Sequence, residues 1–157
     1  MLYAMLTRTG AYVLYFEFPG EIFVSRPQEA WLTSPLLYVG SAMGGFERVN
    51  RHLRMAEGRG TPRWHIDQIL QQVPPQRIYL VPSRERLECQ IAQHLAGRFP
   101  VALEGFGSSD CRCPSHLFRG PWFELEQLLH QAGWAFVRLC RTGGTKDEQT
   151  PLRFQPD

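Results

Sequence analysis

Residues 10–18 read Gly-Ala-Tyr-Val-Leu-Tyr-Phe-Glu-Phe, and this stretch limits the fold more than any other. Tyr12, Leu14, Phe16 and Phe18 alternate with Val13, Tyr15 and Glu17. That is the period of two of a β-strand, carried by aromatic and β-branched residues. Because both alternating sets are largely apolar, the strand expects cover on most of both faces, within a sheet flanked by helices.

The rest of the chain supplies such elements. Pro19-Gly20 turns it into a short strand over 21–25, residues 26–35 read as loop between Pro27 and Pro35, and 36–40 (Leu-Leu-Tyr-Val-Gly) as another strand. Gly44-Gly45 precedes a helix over 46–57, broken by the Gly-Arg-Gly-Thr-Pro run at 58–62. A short helix over 64–71 stops before Pro74-Pro75, and 77–81 (Arg-Ile-Tyr-Leu-Val) is a strand. Ser83 suits the N-cap of a helix over 84–96 with Leu87, Ile91 and Leu95 on its buried stripe. Residues 104–119 are a glycine- and cysteine-rich loop with a strand near Leu117, followed by a helix over 122–131 and a strand over 134–140. Residues 141–157 read as a polar, mobile tail. The class is α+β: a small mixed or antiparallel sheet flanked by helices, with an extra hairpin and a C-terminal helix-strand extension, in one domain over 1–140.

Composition agrees and excludes several classes. In 157 residues, 43% hydrophobic and 20% charged content is that of one globular domain, not of a disordered or collagen-like chain. Four cysteines are too few for a disulfide scaffold. No run approaches the ~18 apolar residues of a membrane-spanning helix. The apolar start, Met1 to Leu6, is interrupted by Thr7 and Arg8, too soon for a signal-peptide core, so the expectation is a cytoplasmic chain with reduced thiols and no membrane partner. The formal charge is only +2, yet every basic residue but Lys146 is arginine. Coding bias in a GC-rich genome explains that, and so does the match of a guanidinium fork to phosphate oxygens. Arg48, Arg51, Arg54, Arg59 and Arg63 fall close together against Glu57 alone, which reads either as a solvated face or as a nucleic-acid footprint.

In the helix over 46–57, Phe46, Val49, Leu53 and Ala56 form an apolar stripe toward the sheet. Arg48, Arg51, His52 and Met55 form a second stripe, on which Arg48 and His52, four apart, project side by side. Gly10-Ala11-Tyr12 opens the first strand, and Tyr38-Val39-Gly40 lies in the strand leading into this helix.

These paired tripeptides resemble those of the GIY-YIG nuclease superfamily. Arg48 matches that family's arginine early in the following helix, His52 its histidine or tyrosine one turn later, and Leu87-Glu88-Cys89-Gln90-Ile91 its L-E-x-x-I/L pattern. The strings Y-V-G-S-A, R-H-L, W-H-I-D (64–67) and F-G-S-S-D-C-x-C-x-S-H-L-F (106–118) are similar to the compact, prokaryotic Uri-type branch. The likeness spans residues 10–118. Ala11 replaces the usual isoleucine, the tripeptides are far apart, and the asparagine that often follows the metal glutamate has only Ser108, Ser109 or Asp110 as counterparts.

What the resemblance implies is a nuclease domain over 1–140 that hydrolyses DNA phosphodiesters with Mg²⁺ or Mn²⁺ on Glu88. Arg48 would neutralise charge developing in the transition state. Tyr12, helped by Tyr38 or His52, would position or deprotonate the water. Arg51, Arg54, Arg59 and Arg63 would track the phosphate backbone. RNA remains open as a substrate. The alternative is a catalytically silent nucleic-acid-binding module of the same fold. Each residue also has an ordinary reading: Tyr12 and Tyr38 as core aromatics, Glu88 as a solvated helix residue, His52 as a surface histidine.

Cys89, Cys111, Cys113 and His116 are the residue types of a zinc site, but Cys-x-Cys is tighter than the usual spacing and Cys89 lies far upstream. The favoured expectation is a packed loop, with Cys89 and Cys111 as small buried groups and Asp110 and His116 hydrogen-bonded beside Glu88. His65, Asp67, Asp110 and His116 are further candidates to line a cleft.

Overall fold

A computed structural model describes residues 5, 7–143 and 152–156. The order is β1 (Gly10–Phe16), β2 (Glu21–Val24), β3 (Ala30–Thr33), β4 (Leu36–Ala42), α1 (Glu47–Ala56), α2 (His65–Leu70), β5 (Arg77–Pro82), α3 (Glu88–Ala96), β6 (Leu117–Arg119), α4 (Trp122–Gln131), β7 (Val137–Gly143) and β8 (Arg153–Pro156). Six strands form one sheet in the order β6-β4-β1-β5-β7-β8, every pairing antiparallel, and β2-β3 form a separate hairpin. The class is α+β, as the sequence pattern predicts. Among the described residues, no helix is long and apolar enough to cross a membrane.

β1 is buried at all seven positions. Its Tyr12, Leu14 and Phe16 join Tyr38, Ile78 and Leu80 under Val49, Met55 and Ala56 of α1 and Ile66, Ile69 and Leu70 of α2. Ala11, Val13 and Tyr15 join Leu37, Val39, Tyr79 and Val81 under Ile91 and Leu95 of α3 and Leu125 and Leu129 of α4. The central strand is thus sandwiched between two helical layers, which is why neither of its alternating sets is polar.

Three boundaries differ from the sequence reading. Residues 30–33, read as loop, are a strand whose Leu32 faces Ile22 in the core while Trp31 meets Phe23 outside in a tilted contact, ring centroids 5.1 Å apart. The flanking prolines hid an alternation of only four residues. The helix expected from residue 84 begins at Glu88, although Leu87, Ile91 and Leu95 are buried as anticipated. Ser83 Oγ accepts the N–H of Glu85 at 2.9 Å, turning the loop instead of capping a helix. The described part of the supposed mobile tail is also structured. Residues 141–143 extend β7, and β8 pairs with it as an edge strand, burying Phe154. The rest of that tail lies outside the described residues.

Two glycines explain the close approach at the sheet centre. A Cβ on Gly10 would stand 2.1 Å from the carbonyl oxygen of Val81. Gly40 pairs with Tyr12 across β1 and β4, and a Cβ there would lie 2.2 Å from Tyr12 Cζ and 2.3 Å from its hydroxyl. Tyr12 is buried and cannot swing aside. Gly40→Ala should therefore cost about 2–3 kcal/mol of stability, the scale of a forced overpacking, read from urea denaturation against the parent chain.

Candidate active site

β1 and β4 set two tyrosines on one face of the sheet. Tyr12 lies opposite Gly40 and Tyr38 opposite Leu14, so the two phenols are diagonal neighbours. α1 crosses this face. Its buried residues are Val49, His52, Met55 and Ala56, whereas Leu53 is only partly buried. The buried stripe is therefore rotated from the one expected, and it takes in His52 and Met55. His52 is 1% exposed, which removes its reading as a surface histidine.

Tyr12 Oη and His52 Nε2 are 2.6 Å apart, and His52 Nδ1 has no hydrogen-bond partner. Burial lowers the imidazole pKa to about 4, Asp67 opposing this and Arg51 and Arg48 reinforcing it, so His52 is neutral at pH 7. Burial pushes the Tyr12 hydroxyl well above its ordinary value, as Tyr38 does, while Arg48 pulls it back. Burial likewise raises Tyr38, with Glu88 next in effect. The two neutral groups are joined by one short hydrogen bond, and Tyr12 faces a cleft of about 550 Å³.

That cleft is also lined by Tyr38, Arg48, His52 and Glu88, so the structure brings all five predicted catalytic residues to one wall system. Glu88 comes from the opposite helical layer. As the first residue of α3, it reaches the cleft at the end of β4, near the helix N-terminal dipole. Burial raises its pKa to about 7, as does Asp110, against Arg48, Arg86 and the backbone N–H of Ser41. A half-buried carboxylate repelled by nearby Asp110 is the kind of oxygen-donor site where a hard divalent cation relieves repulsion, so these residues fit Mg²⁺ or Mn²⁺.

The predicted phosphate-tracking arginines are mostly engaged elsewhere. Arg51 donates to both carboxylate oxygens of Asp67 at 3.2 and 3.3 Å. Burial alone would raise the Asp67 carboxyl, but Arg51 and the backbone N–H groups of Arg63 and Trp64 hold it below its ordinary value. Asp67 thus starts α2 and fixes Arg51, rather than lining the cleft. Arg54 meets Glu47 at 3.7 Å and Arg59 meets Glu57 at 2.6 Å. Arg63 alone of the four faces the cleft, where His65 and Asp110 also stand. Sequence reasoning gave no role to Trp64, quoted only within W-H-I-D, and passed over Arg86. The Trp64 ring carries the guanidiniums of Arg48 and Arg51 at 5.0 and 4.0 Å, which steers Arg48, and Arg86 enters the cleft two residues before Glu88. Only the position of Trp64 at the start of a helix beside the arginine run hinted at this.

Behind Glu88, the loop bends back on α3. The ligand atoms of Cys89, Cys111, Cys113 and His116 all lie within 4.8 Å of one another, a cluster able to hold a metal ion. Cys89, far upstream in sequence, is thus beside Cys111 and Cys113 in space, in a cluster with ligand geometry and not only as packed small groups. Of the two residues expected to brace the loop beside Glu88, His116 turns Nε2 to Cys111 Sγ at 3.5 Å, while its Nδ1 stands 3.8 Å from Glu88 Oε2, beyond hydrogen-bonding distance. Burial raises the Cys89 and Cys113 thiols, Cys113 to about 12 with help from Cys89 and Cys111.

Residues 11–136 match the family described as Domain of unknown function DUF123. The chain belongs to this family. No curated protein and no solved structure matches it. The DUF123 match spans β1 through α4, and thus every residue of the cleft and of the cysteine cluster.

The buried His52 gives a signed pH dependence. Its folded pKa lies below the unfolded value of 6.5, so the unfolded chain binds a proton first. Stability falls as pH drops from 6.5 and stops falling from this source below about 4. Between pH 7 and pH 4 the parent should lose on the order of 3 kcal/mol more than His52→Gln, measured by urea denaturation at both pH values.

Proposed function

We propose that this chain is a divalent-metal-dependent endonuclease that hydrolyses phosphodiester bonds in DNA, of the GIY-YIG type its sequence resembles. The observation that carries this reading is the convergence of Tyr12, Tyr38, Arg48, His52 and Glu88, from four separate elements, on one cleft. A pure nucleic-acid binder has no use for a half-buried carboxylate facing phosphate, which favours catalysis over the silent-module alternative.

Glu88, with Asp110 near it, would hold the cation, which when bound supplies Lewis-acid polarisation of the phosphoryl oxygens. The protein groups do the rest. Tyr12 orients a water by hydrogen bonding. As the water attacks phosphorus, its proton passes to the Tyr12 oxygen and the Tyr12 proton passes to neutral His52 Nε2, so no free phenolate is required. The P–O bond to the leaving oxygen breaks, and that oxygen takes a proton from solvent. Arg48, steered by Trp64, neutralises the charge that builds on the phosphoryl group. Tyr38 walls the cleft beside Tyr12 and Asp110.

Glu88→Gln should abolish cleavage of plasmid DNA in Mg²⁺ or Mn²⁺ with the fold unchanged by circular dichroism. Arg48→Ala should lower the rate 10²–10³-fold, the scale of one transition-state charge stabiliser. Full activity in either variant refutes the assignment, and DNA binding without cleavage by the parent chain would favour the silent module.

The ion pairs also rank the arginines in binding. Arg63→Ala should reduce the slope of log affinity against log salt by about 0.9 on duplex DNA, one lost phosphate contact. Arg54→Ala and Arg59→Ala should reduce it by less, because each already faces a carboxylate. Equal effects of all three in a salt titration would show that the cleft does not select Arg63.

A further inference from the structure

We propose that Cys89, Cys111, Cys113 and His116 bind one Zn²⁺ through three thiolates and the imidazole Nε2, fastening the loop that carries Asp110 to the first turn of α3. The four ligand atoms already lie within 4.8 Å of one another, and Cys111 Sγ is 3.5 Å from His116 Nε2. Around a tetrahedral zinc with Zn–S near 2.3 Å and Zn–N near 2.0–2.1 Å, neighbouring ligands sit about 3.5–3.8 Å apart. Small inward shifts of the sulfurs complete that tetrahedron. Cys89, Cys111 and Cys113 form no disulfide, so none competes with the metal for these three. Binding displaces three thiol protons to solvent and leaves the imidazole neutral.

A second observation comes from His116 itself. It is 0% exposed, with Nε2 turned to Cys111 and Nδ1 lacking any hydrogen-bond partner. The atom nearest in charge is Glu88 Oε2 at 3.8 Å. A zinc-bound histidine ordinarily presents its other ring N–H to a carboxylate, which fixes tautomer and ring plane. Glu88, one residue before the ligand Cys89, is the carboxylate nearest to that role, 3.8 Å from Nδ1 and so not hydrogen-bonded to it without metal. The loop also has need of a fastener. Between α3 and β6 run twenty residues with neither helix nor strand, only an isolated bridge at Val101. Leu103 and Phe106 anchor it in the core, but none of residues 109–114 at its tip is buried, and that tip is what the metal would fasten.

Soft thiolates select zinc, whereas a carboxylate suits Mg²⁺ or Mn²⁺, so the two sites take different ions. The zinc site stands on its own ligands, and its test uses no nucleic acid, so its failure is separable from failure of the nuclease reading. The full-length reduced chain, loaded with Zn²⁺ and desalted, should retain one zinc per chain by elemental analysis. Co²⁺ in its place should show thiolate charge-transfer and tetrahedral d–d absorption. Cys113→Ser and His116→Ala should retain no zinc, whereas Cys140→Ser, outside the cluster, should retain it all. A strong chelator should lower Tm, with recovery on Zn²⁺ and none on Mg²⁺. An unmodified chain that keeps no zinc, or gives an octahedral cobalt spectrum, overturns the proposal even if the ligand variants misfold. Full zinc retention by both ligand variants overturns it as well.

Discussion

β1 has no face to spare for water, and most of the architecture follows from that. A strand buried at every position must have both edges paired and both faces covered. β4 and β5 take the edges, α1 and α2 one face, and α3 and α4 the other. Tyr12 then becomes a buried polar group that meets solvent only at the cleft, and its hydroxyl needs a partner on the inner side. His52 supplies it, at the expense of placing an imidazole in a core position with an orphaned Nδ1. Such a pair contributes little to stability beyond satisfying itself. Its retention in the core makes most sense where the shared proton is used.

The cleft is a meeting place of layers. Tyr12 and Tyr38 come from the sheet, Arg48 and His52 from the helix above it, and Glu88 from the helix below. A carboxylate from the far layer can reach the same cavity only where the sheet ends. This explains why α3 must begin at Glu88 rather than at Arg84: an earlier start would carry Glu88 into the second turn. The Ser83 turn and the bend at residues 84–85 that follows it set that start.

Much of this was legible in the chain. β1 announced itself by period two and β4 and β5 by short apolar runs after Pro35 and Pro75, and the order of Tyr12, Tyr38, Arg48, His52 and Glu88 matched a known pattern that the structure gathers into one cleft. What was not legible is non-local. Nothing near Arg153–Pro156 indicates that β7 will pair with it, because four residues ending in proline carry little strand signal. Nor does a helical wheel show that α1 turns His52 inward. The competing Leu53 is more apolar, but Tyr12 demands a hydrogen-bond partner and Leu53 has none to give. Cys89 and Cys111 are separated by a helix and a long loop, so no spacing rule brings them together.

The arginine run shows why local charge misleads. Five guanidiniums between residues 48 and 63 suggest a strongly positive face, yet Asp67, Glu47 and Glu57 engage three of them. Asp67 matters most, because it is fully buried and holds Arg51 with two hydrogen bonds while also starting α2. The arginines left facing the cleft are Arg48, Arg63 and Arg86, against Glu88 and Asp110. Such a near balance would bind polyanions weakly by charge alone. A divalent cation beside Glu88 and Asp110 would tip it positive at the point where a phosphate must sit. Affinity and chemistry would then depend on the same ion, so the cleft would hold phosphate firmly only when it is equipped to cleave it.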